Sequence, residues 1–484
     1  MTDNRSMTSA DGLVWHRAAY VCAGLVGVLI SVCLLGIPVQ LSDSFTEFTS
    51  VHGRSLWDVV TAELSNGVYF RPFRRGLIKV VFELSGGHYY LAFRGFQSLE
   101  VIVLLLLVVR MLRVRARAAA AALPLGLAMV VGMHTFAGAV LEGLPINHFL
   151  TVLICCALAV NLAQAEPRPI VAAGAVMLLV FAMLTIESGL LIWVIFVTAF
   201  AVGCRGVSRN ALIVLTACVG LYFVGRFVLL GGAAPGLGER SAGFGFAVLD
   251  PDELIRRFGA NPLPFYAYNV VSAIACVLFA EPRGGVWAFT GGLLNGGLEA
   301  WQYVNVVTST LTTWLIARYA VDRLPAWRAR DFDDADRFVV MFLVILPANA
   351  LFAGGYEKDV IMSPAGLFHA AAGYVVFRQF LSERAPLPAG AGRRFASGGI
   401  VLLVAMGWTL RLIGVHDSLR HRAASVRDEW AYYDDWAKQQ PAQVPLTAAE
   451  EAIRQHLFDD AISRTPRPPE LSLGVIDQLF DPTQ

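Results

Sequence analysis

The run AAYVCAGLVGVLISVCLLGIPV (residues 18–39), followed at once by LSDSFTEFTSVHGRSLWDVVTAELSNGVYFRPF (residues 41–73), decides how this chain must be read. The first stretch is apolar throughout and, at 1.5 Å per helical residue, long enough to cross about 30 Å of hydrocarbon. Inside a bilayer each backbone polar group must be satisfied within the segment, so the run must be helical. The second stretch sets an acid, Asp43, just beyond that helix and ends on Arg71, with Arg74 and Arg75 close behind. A carboxylate at bilayer depth costs about 2.5–3.5 kcal/mol, so such groups sit at the interface or line a polar cavity. An acid/base group and an anion-binding cluster are therefore expected in one loop at one membrane face.

Working outward, apolar runs recur to residue 415 in a chain that is 56% hydrophobic and only 15% charged, which predicts an all-α polytopic membrane protein. The spans fall near 18–39, 91–109, 118–140, 147–163, 169–186, 189–204, 211–230, 301–320, 337–354, 363–381 and 396–415. This gives about eleven crossings, or twelve if residues 265–280 also cross. Residues 1–17 are polar, and the run after them lacks a small-residue cleavage site. It is expected to remain as the first span, with residues 1–17 in the cytoplasm. The inside loops then carry Arg110, Arg113, Arg115 and Arg117, then Arg168, Arg205, Arg209, Arg323, Arg328, Arg330, Arg337, Arg384, Arg393 and Arg394, as the positive-inside rule requires.

The transmembrane domain, residues 18–415, has two long outer segments, 40–90 and 231–300. In the first, Leu56–Leu64 and Leu77–Leu84 have helical apolar spacing but are too short and charged to cross, and they read as interfacial helices. The second is rich in Gly and Pro, and its run 265–280 reads as interfacial or re-entrant. Residues 416–484 turn acidic and form an extracytoplasmic tail. There Thr447 and Glu450 have capping-box spacing ahead of Ile453 and Leu457, which predicts a small helix.

Seven cysteines, an odd number lying mostly within apolar runs, read as free thiols in the core. A net charge of +1 signals no nucleic-acid partner. Lysine is nearly confined to Lys79, Lys358 and Lys438, a composition bias without functional content.

The candidate chemistry gathers in the outer loops. Asp43 and Glu47 stand four residues apart, so on a helix they share one face and could hold a proton or a divalent cation such as Mg or Mn. Ser42-Asp43-Ser44 would equally serve as a helix N-cap. Tyr69, Arg71, Arg74 and Arg75 suit either an interfacial anchor or a phosphate site. Glu187 interrupts an otherwise apolar stretch from Ile170 to Val202, and Arg226 lies within the seventh span; both need a partner or a polar cavity. Glu357 and Lys358 form another charged outer turn. His134, Glu142 and His148 flank the turn between the third and fourth spans at a spacing that matches no metal motif, and they read as polar turn residues.

The order of these features resembles the GT-C superfamily of polytopic glycosyltransferases, mannosyltransferase-like enzymes that use polyprenyl-phosphate sugars. The resemblance rests on Asp43 after the first span, Tyr69-Phe70-Arg71-Pro72 ending the first loop, and His134 after the third span. It continues with Glu187-Ser188-Gly189, Tyr222 with Arg226 before Gly231-Gly232, and the turn Tyr356–Gly366, covering residues 18–415 in order. Three positions depart from the pattern: Ser44 stands where many members have a second acid, Ile186 where a Lys is usual, and Lys358 where an Arg is usual. The resemblance implies an inverting hexosyltransferase of the cytoplasmic (inner) membrane with its active site on the extracytoplasmic face. It implies Asp43 as catalytic base and Tyr69, Arg71, Arg74, Arg75, Arg226 and Lys358 as ligands of the lipid phosphate, with Glu47, Glu187 and Glu357 as supporting acids. The partners are the bilayer, a polyprenyl-phosphate sugar, and a protein, lipid or glycan acceptor.

Two other readings fit the same sequence. One is a transporter or flippase for lipid-linked or anionic solutes, with Arg226 as counter-ion. The other is a lipid-linked polysaccharide polymerase that uses Arg240, Arg256, Arg257 and Arg283 in the second long loop. The topology has a direct check. With the native thiols removed, a Cys placed at position 43 should react with an impermeant maleimide in intact cells; reaction only after permeabilisation would reverse the assigned orientation.

Overall fold

The computed structural model of the chain describes residues 9–41, 43–63, 70–141, 145, 148–232, 236–239, 241–259, 261–280, 285–355, 359–383, 391–431 and 446–463. Tyr69, Glu142, Arg240, Arg283, Glu357 and Lys358 lie outside these residues, as does the side chain of Asp43.

The protein is helical, and its helices are apolar in the manner of a membrane protein. Helix α1 (Ser9–Leu34) leads to three short helices, α2 (Asp43–Val51), α3 (Leu56–Ala62) and α4 (Pro72–Leu84). Then follow α5 (Tyr89–Met111), α6 (Arg117–Val131), α7 (His134–Leu141), α8 (Phe149–Ala163), α9 (Pro169–Met183) and α10 (Leu191–Ala201). Helix α11 (Arg209–Phe223) runs on into a π-helical turn, Val224–Leu229. A two-stranded hairpin, β1 (Ala242–Phe244) and β2 (Ala247–Leu249), precedes α12 (Pro251–Phe258), α13 (Leu263–Phe279), α14 (Gly285–Asn295), α15 (Ala300–Arg328), α16 (Asp334–Ala353), α17 (Ser363–Glu383) and α18 (Ala391–Ala431). A helix at Ala448–Ser463 follows.

Among the described residues, five segments are long and apolar enough to cross a bilayer: Gly12–Leu34, Tyr89–Met111, Arg209–Leu229, Asp334–Ala353 and Val360–Phe380. The number rises to seven if the bent pairs Arg117–Val131 with His134–Val140 and Pro251–Phe258 with Leu263–Phe279 each count as one crossing. Length and composition therefore do not deliver the eleven crossings that the apolar runs predict. Phe149–Ala163 and Pro169–Met183 have only 15 residues each, about 22 Å of helix, and fall short of the hydrocarbon thickness. Exposed Leu25, Leu29 and Val32 on α1, and Ile213, Leu221, Val228 and Leu229 on α11, present the apolar outer surface that a bilayer covers.

Helix α5 is the central strut, packing on α1 and α8. It carries a buried polar ladder at positions 94, 97 and 100, one face of the helix. Arg94 donates to the Ile37 carbonyl at 2.8 Å, the Pro38 carbonyl at 2.6 Å and Gln97 Oε1 at 2.6 Å. Gln97 in turn donates to the Val140 carbonyl at 2.6 Å. These bonds satisfy carbonyls beyond the end of α1 and in the last turn of α7, and so hold the chain where it leaves α1 for Asp43.

The polar ends of the helices sort into two sets. At one, His16 meets the Val114 carbonyl, Arg113 donates to the Gln164 carbonyl at 2.7 Å, and Arg337 pairs with Asp334 at 2.7 Å. The loops expected inside thus lie together. The same end holds Asp336, fully buried, which accepts from Tyr319 at 2.8 Å, Trp327 at 2.7 Å, the Asp333 amide at 2.8 Å and Arg323 at 2.6 Å.

At the other end the tail joins the first loop. The expected break after residue 415 does not occur in the backbone, because α18 continues to Ala431. Trp430 near its end donates to the Val39 carbonyl at 2.7 Å and meets Phe45 edge-on. The capping box forms as the spacing predicts, with the Thr447 amide on Glu450 at 2.8 Å, and Ile453, Leu457 and Ala461 are buried. The helices expected near 56–64 and 77–84 form, as Leu56–Ala62 and within Pro72–Leu84. The run 265–280 is helical and packs on α15 and α16 within the bundle.

Replacing Asp336 with Ala takes the acceptor from Trp327 and leaves Arg323 and buried Tyr319 only the longer contacts to Asp333. It should cost about 3–5 kcal/mol of stability, read as unfolding in mixed detergent and SDS; a loss below 1 kcal/mol would show that Asp336 is not the anchor of this end.

Candidate functional site

Pro72 occupies the first turn of α4, where its missing N–H costs nothing and its fixed φ is already helical. Helical spacing then sets Arg71, Arg74 and Arg75 on adjacent turns at the start of α4. The Phe73 amide donates to the Leu184 carbonyl at 3.0 Å and docks this start against the turn after α9.

That turn is Thr185 to Leu190, with Glu187–Leu190 a single 3-10 turn leading into α10. Gly189 is required there, since a Cβ would collide with the Ala182 carbonyl. The turn delivers Glu187 to the arginines. Arg71 places Nε at 2.9 Å and Nη2 at 2.6 Å on Glu187 Oε2, leaving Oε1 to Arg226 Nη1 at 3.1 Å. Arg226 also donates to the Tyr222 hydroxyl at 2.8 Å, and Tyr222 lies against Phe70 with ring centroids 6.1 Å apart. The π-helical turn at Val224–Leu229 is the local distortion that carries Arg226; such turns recur at functional positions.

Beside this triad lies a second ion-pair group. Arg74 Nη2 is 2.5 Å from Glu47 Oε1, and Arg75 Nε is 3.6 Å from Glu47 Oε2 and 3.0 Å from Glu63 Oε1. Glu47 is on α2, one helical turn after Asp43, so the backbone of the predicted base opens the helix that holds this acid. Residues 47, 63, 71, 74, 75, 187 and 226 thereby converge from five elements: α2, the end of α3, the start of α4, the α9–α10 turn and the π-helical turn.

The metal expectation at Asp43 and Glu47 fits poorly. Both Glu47 oxygens lie against guanidinium groups, and two fixed cations beside a carboxylate repel a divalent ion. Among the described residues no group of three or more His, Cys, Asp or Glu side chains is arranged for a metal. His134 is instead held by Asn305, with Nε2 and Nδ2 3.1 Å apart, and is separate from this cluster.

Burial works against a charge on Glu187, but Arg71 first and then Arg226 hold its carboxyl below the usual carboxylate range. His148 is buried at the N-cap of α8, with Arg74 and Arg71 as the charged groups beside it. His148 and Glu63 escape a reading by motif. Nothing in the local sequence of Glu63 marks it, and His148 gains meaning only from its distance to α4.

No family model, curated protein or solved structure matches the chain.

Glu187→Gln should lower stability by about 3 kcal/mol, because two guanidiniums lose the carboxylate they share. The pH response follows from the sign of the shift. A carboxyl with a depressed folded-state pKa stabilises the fold while ionised, so its contribution is whole at neutral pH. It is lost as pH falls below the ordinary carboxylate range and through the lowered folded value. SDS unfolding at pH 7 and at successively lower pH should show the gap between wild type and Glu187→Gln closing toward acid; a gap that widens there would reverse the assignment.

Proposed function

We propose that this protein is a membrane glycosyltransferase of the GT-C type. It would move a hexose from a polyprenyl-phosphate donor to an acceptor hydroxyl, with inversion, at the extracytoplasmic face of the cytoplasmic membrane. The observation that carries the reading is the meeting of Arg71, Glu187 and Arg226 beside Glu47, Arg74 and Arg75, one helical turn from Asp43. Guanidinium forks held in place by carboxylates are pre-organised to receive phosphate oxygens, and such electrostatic pre-organisation lowers the barrier to leaving-group departure.

In the proposed step Asp43 takes the proton from the acceptor hydroxyl. The freed oxygen attacks the anomeric carbon, and the bond from that carbon to the phosphate oxygen breaks on the opposite face. The phosphate leaves with the electron pair, held by Arg71 and Arg226. No metal is needed for this balance. The GT-C reading takes the shorter helices, Phe149–Ala163, Pro169–Met183, Glu187–Ala201 and Leu402–Val415, together with the start of α15 as further crossings, which brings the number to about eleven.

A carrier is the second reading, favoured by one observation. Arg94, Gln97 and Glu100 are buried within a membrane-length helix, where ionisable groups usually serve transport.

One experiment separates them. Purified protein is offered a panel of polyprenyl-phosphate sugars, and release or transfer of sugar is followed alongside lipid binding. Asp43→Ala should cut turnover by about 10³-fold or more while binding changes little. Asp43→Ala protein that retains full activity, or wild type that moves the lipid between leaflets without releasing sugar, would remove the enzyme reading.

A further inference from the structure

Behind the arginine cluster runs a buried polar chain that the proposed reaction does not use. Thr151, on α8, places its hydroxyl 2.5 Å from Glu100 Oε1, and Thr151 Oγ1 lies 3.5 Å from His148 Nδ1. Glu100, Thr151 and His148 are each less than one-tenth exposed. At the far side of the imidazole, His148 Nε2 is buried and has no hydrogen-bond partner. Ser188, on the 3-10 turn that touches α8, likewise has a buried hydroxyl without a partner. A buried polar atom left unmatched costs about 1–3 kcal/mol, so His148 Nε2 calls for a ligand that completes it.

The polarity of the chain identifies what Nε2 can bind. The Thr151 hydroxyl has one hydrogen. When that hydrogen is donated to the Glu100 carboxylate, its oxygen can only accept from His148, which puts the imidazole hydrogen on Nδ1. Nε2 is then a bare lone pair, an acceptor. The charged groups facing the ring are Arg71 and Arg74 on α4, and the titratable group beside Glu100 is Cys155 on α8. A lone pair repels a phosphate oxygen and attracts a neutral O–H.

We infer that His148 Nε2 is a hydroxyl-binding position of this site, its tautomer set from within the membrane by Thr151 and Glu100, and that it takes a sugar hydroxyl while the arginines take the anion. The identity of the hydroxyl as a sugar's rests on the glycosyltransferase reading; the tautomer does not. His148 acts here as a positioning residue, and no proton changes hands.

Protein labelled with ¹⁵N-histidine in proteoliposomes at pH 8 tests this by solid-state NMR, with His148→Gln used only to assign the signal among the nine histidines. The expected result is a single Nδ1–H tautomer in wild type and in Thr151→Ser, and a mixed tautomer in Thr151→Val. Added n-octyl β-glucoside should shift the His148 Nε2 resonance, and n-octyl phosphate should leave it in place. Thr151→Val should weaken the glucoside response about tenfold, the value of one hydrogen bond. An Nε2–H tautomer or an imidazolium in wild type overturns the inference, as does a tautomer unmoved by Thr151→Val, or an Nε2 that answers the phosphate and not the glucoside. If these signals hold while no sugar is ever transferred, the reading that falls is the enzymatic one.

Discussion

Glu187 is shared by two arginines, and much of that end of the molecule depends on the sharing. Its two oxygens are divided, one to Arg71 and one to Arg226, so that the first loop, the α9–α10 turn and the end of α11 are tied at a single carboxylate. Ionic groups this deeply placed are costly to desolvate, and the arrangement persists because each charge has a partner with hydrogen-bonding geometry. The glycine at 189 lets the turn fold close against the Ala182 carbonyl, and the π-helical turn at 224–229 carries Arg226 to it.

The same economy governs the interior of the bundle. Arg94 sits within a membrane-length helix, yet it donates to carbonyls at 37 and 38 that the end of α1 leaves unsatisfied. It thereby positions the chain just before Asp43. The buried Asp336 plays the matching part at the other end, accepting from Tyr319, Arg323 and Trp327 on α15 and from the Asp333 amide. Between these two anchored ends the helices pack largely through apolar side chains, with buried polar contacts such as Arg411 on Ser309 at 2.8 Å set among them.

The tail changes the picture of the site. Because α18 runs unbroken to Ala431 and Trp430 reaches the Val39 carbonyl, the segment after residue 415 belongs to the same end as the first loop. His456 meets Tyr89 at the start of α5 edge-on. A region that composition marks as an appendage is thus a wall beside α2 and α5. Its acidic residues face outward because Ile453, Leu457 and Ala461 use the inner face of the helix.

Hydropathy alone was enough to establish a helical membrane protein, the positions of most helices, and a first loop bearing acid and arginines, since burial of apolar surface and backbone satisfaction in lipid leave few alternatives. The local rules that worked were short-range ones: the Thr447–Glu450 box, Pro72 opening α4, and Glu187 breaking an apolar run. The number of crossings was not legible, because an apolar run reveals its composition but not whether its helix stays long enough to span. Nor were the pairings. Glu63 with Arg75, Glu47 with Arg74, and Glu100 with Thr151 join residues between 12 and 51 positions apart. A charge in a sequence states its need for a partner, and only the packing of α2, α4, α5, α8 and the α9–α10 turn decides which partner lies within three ångströms.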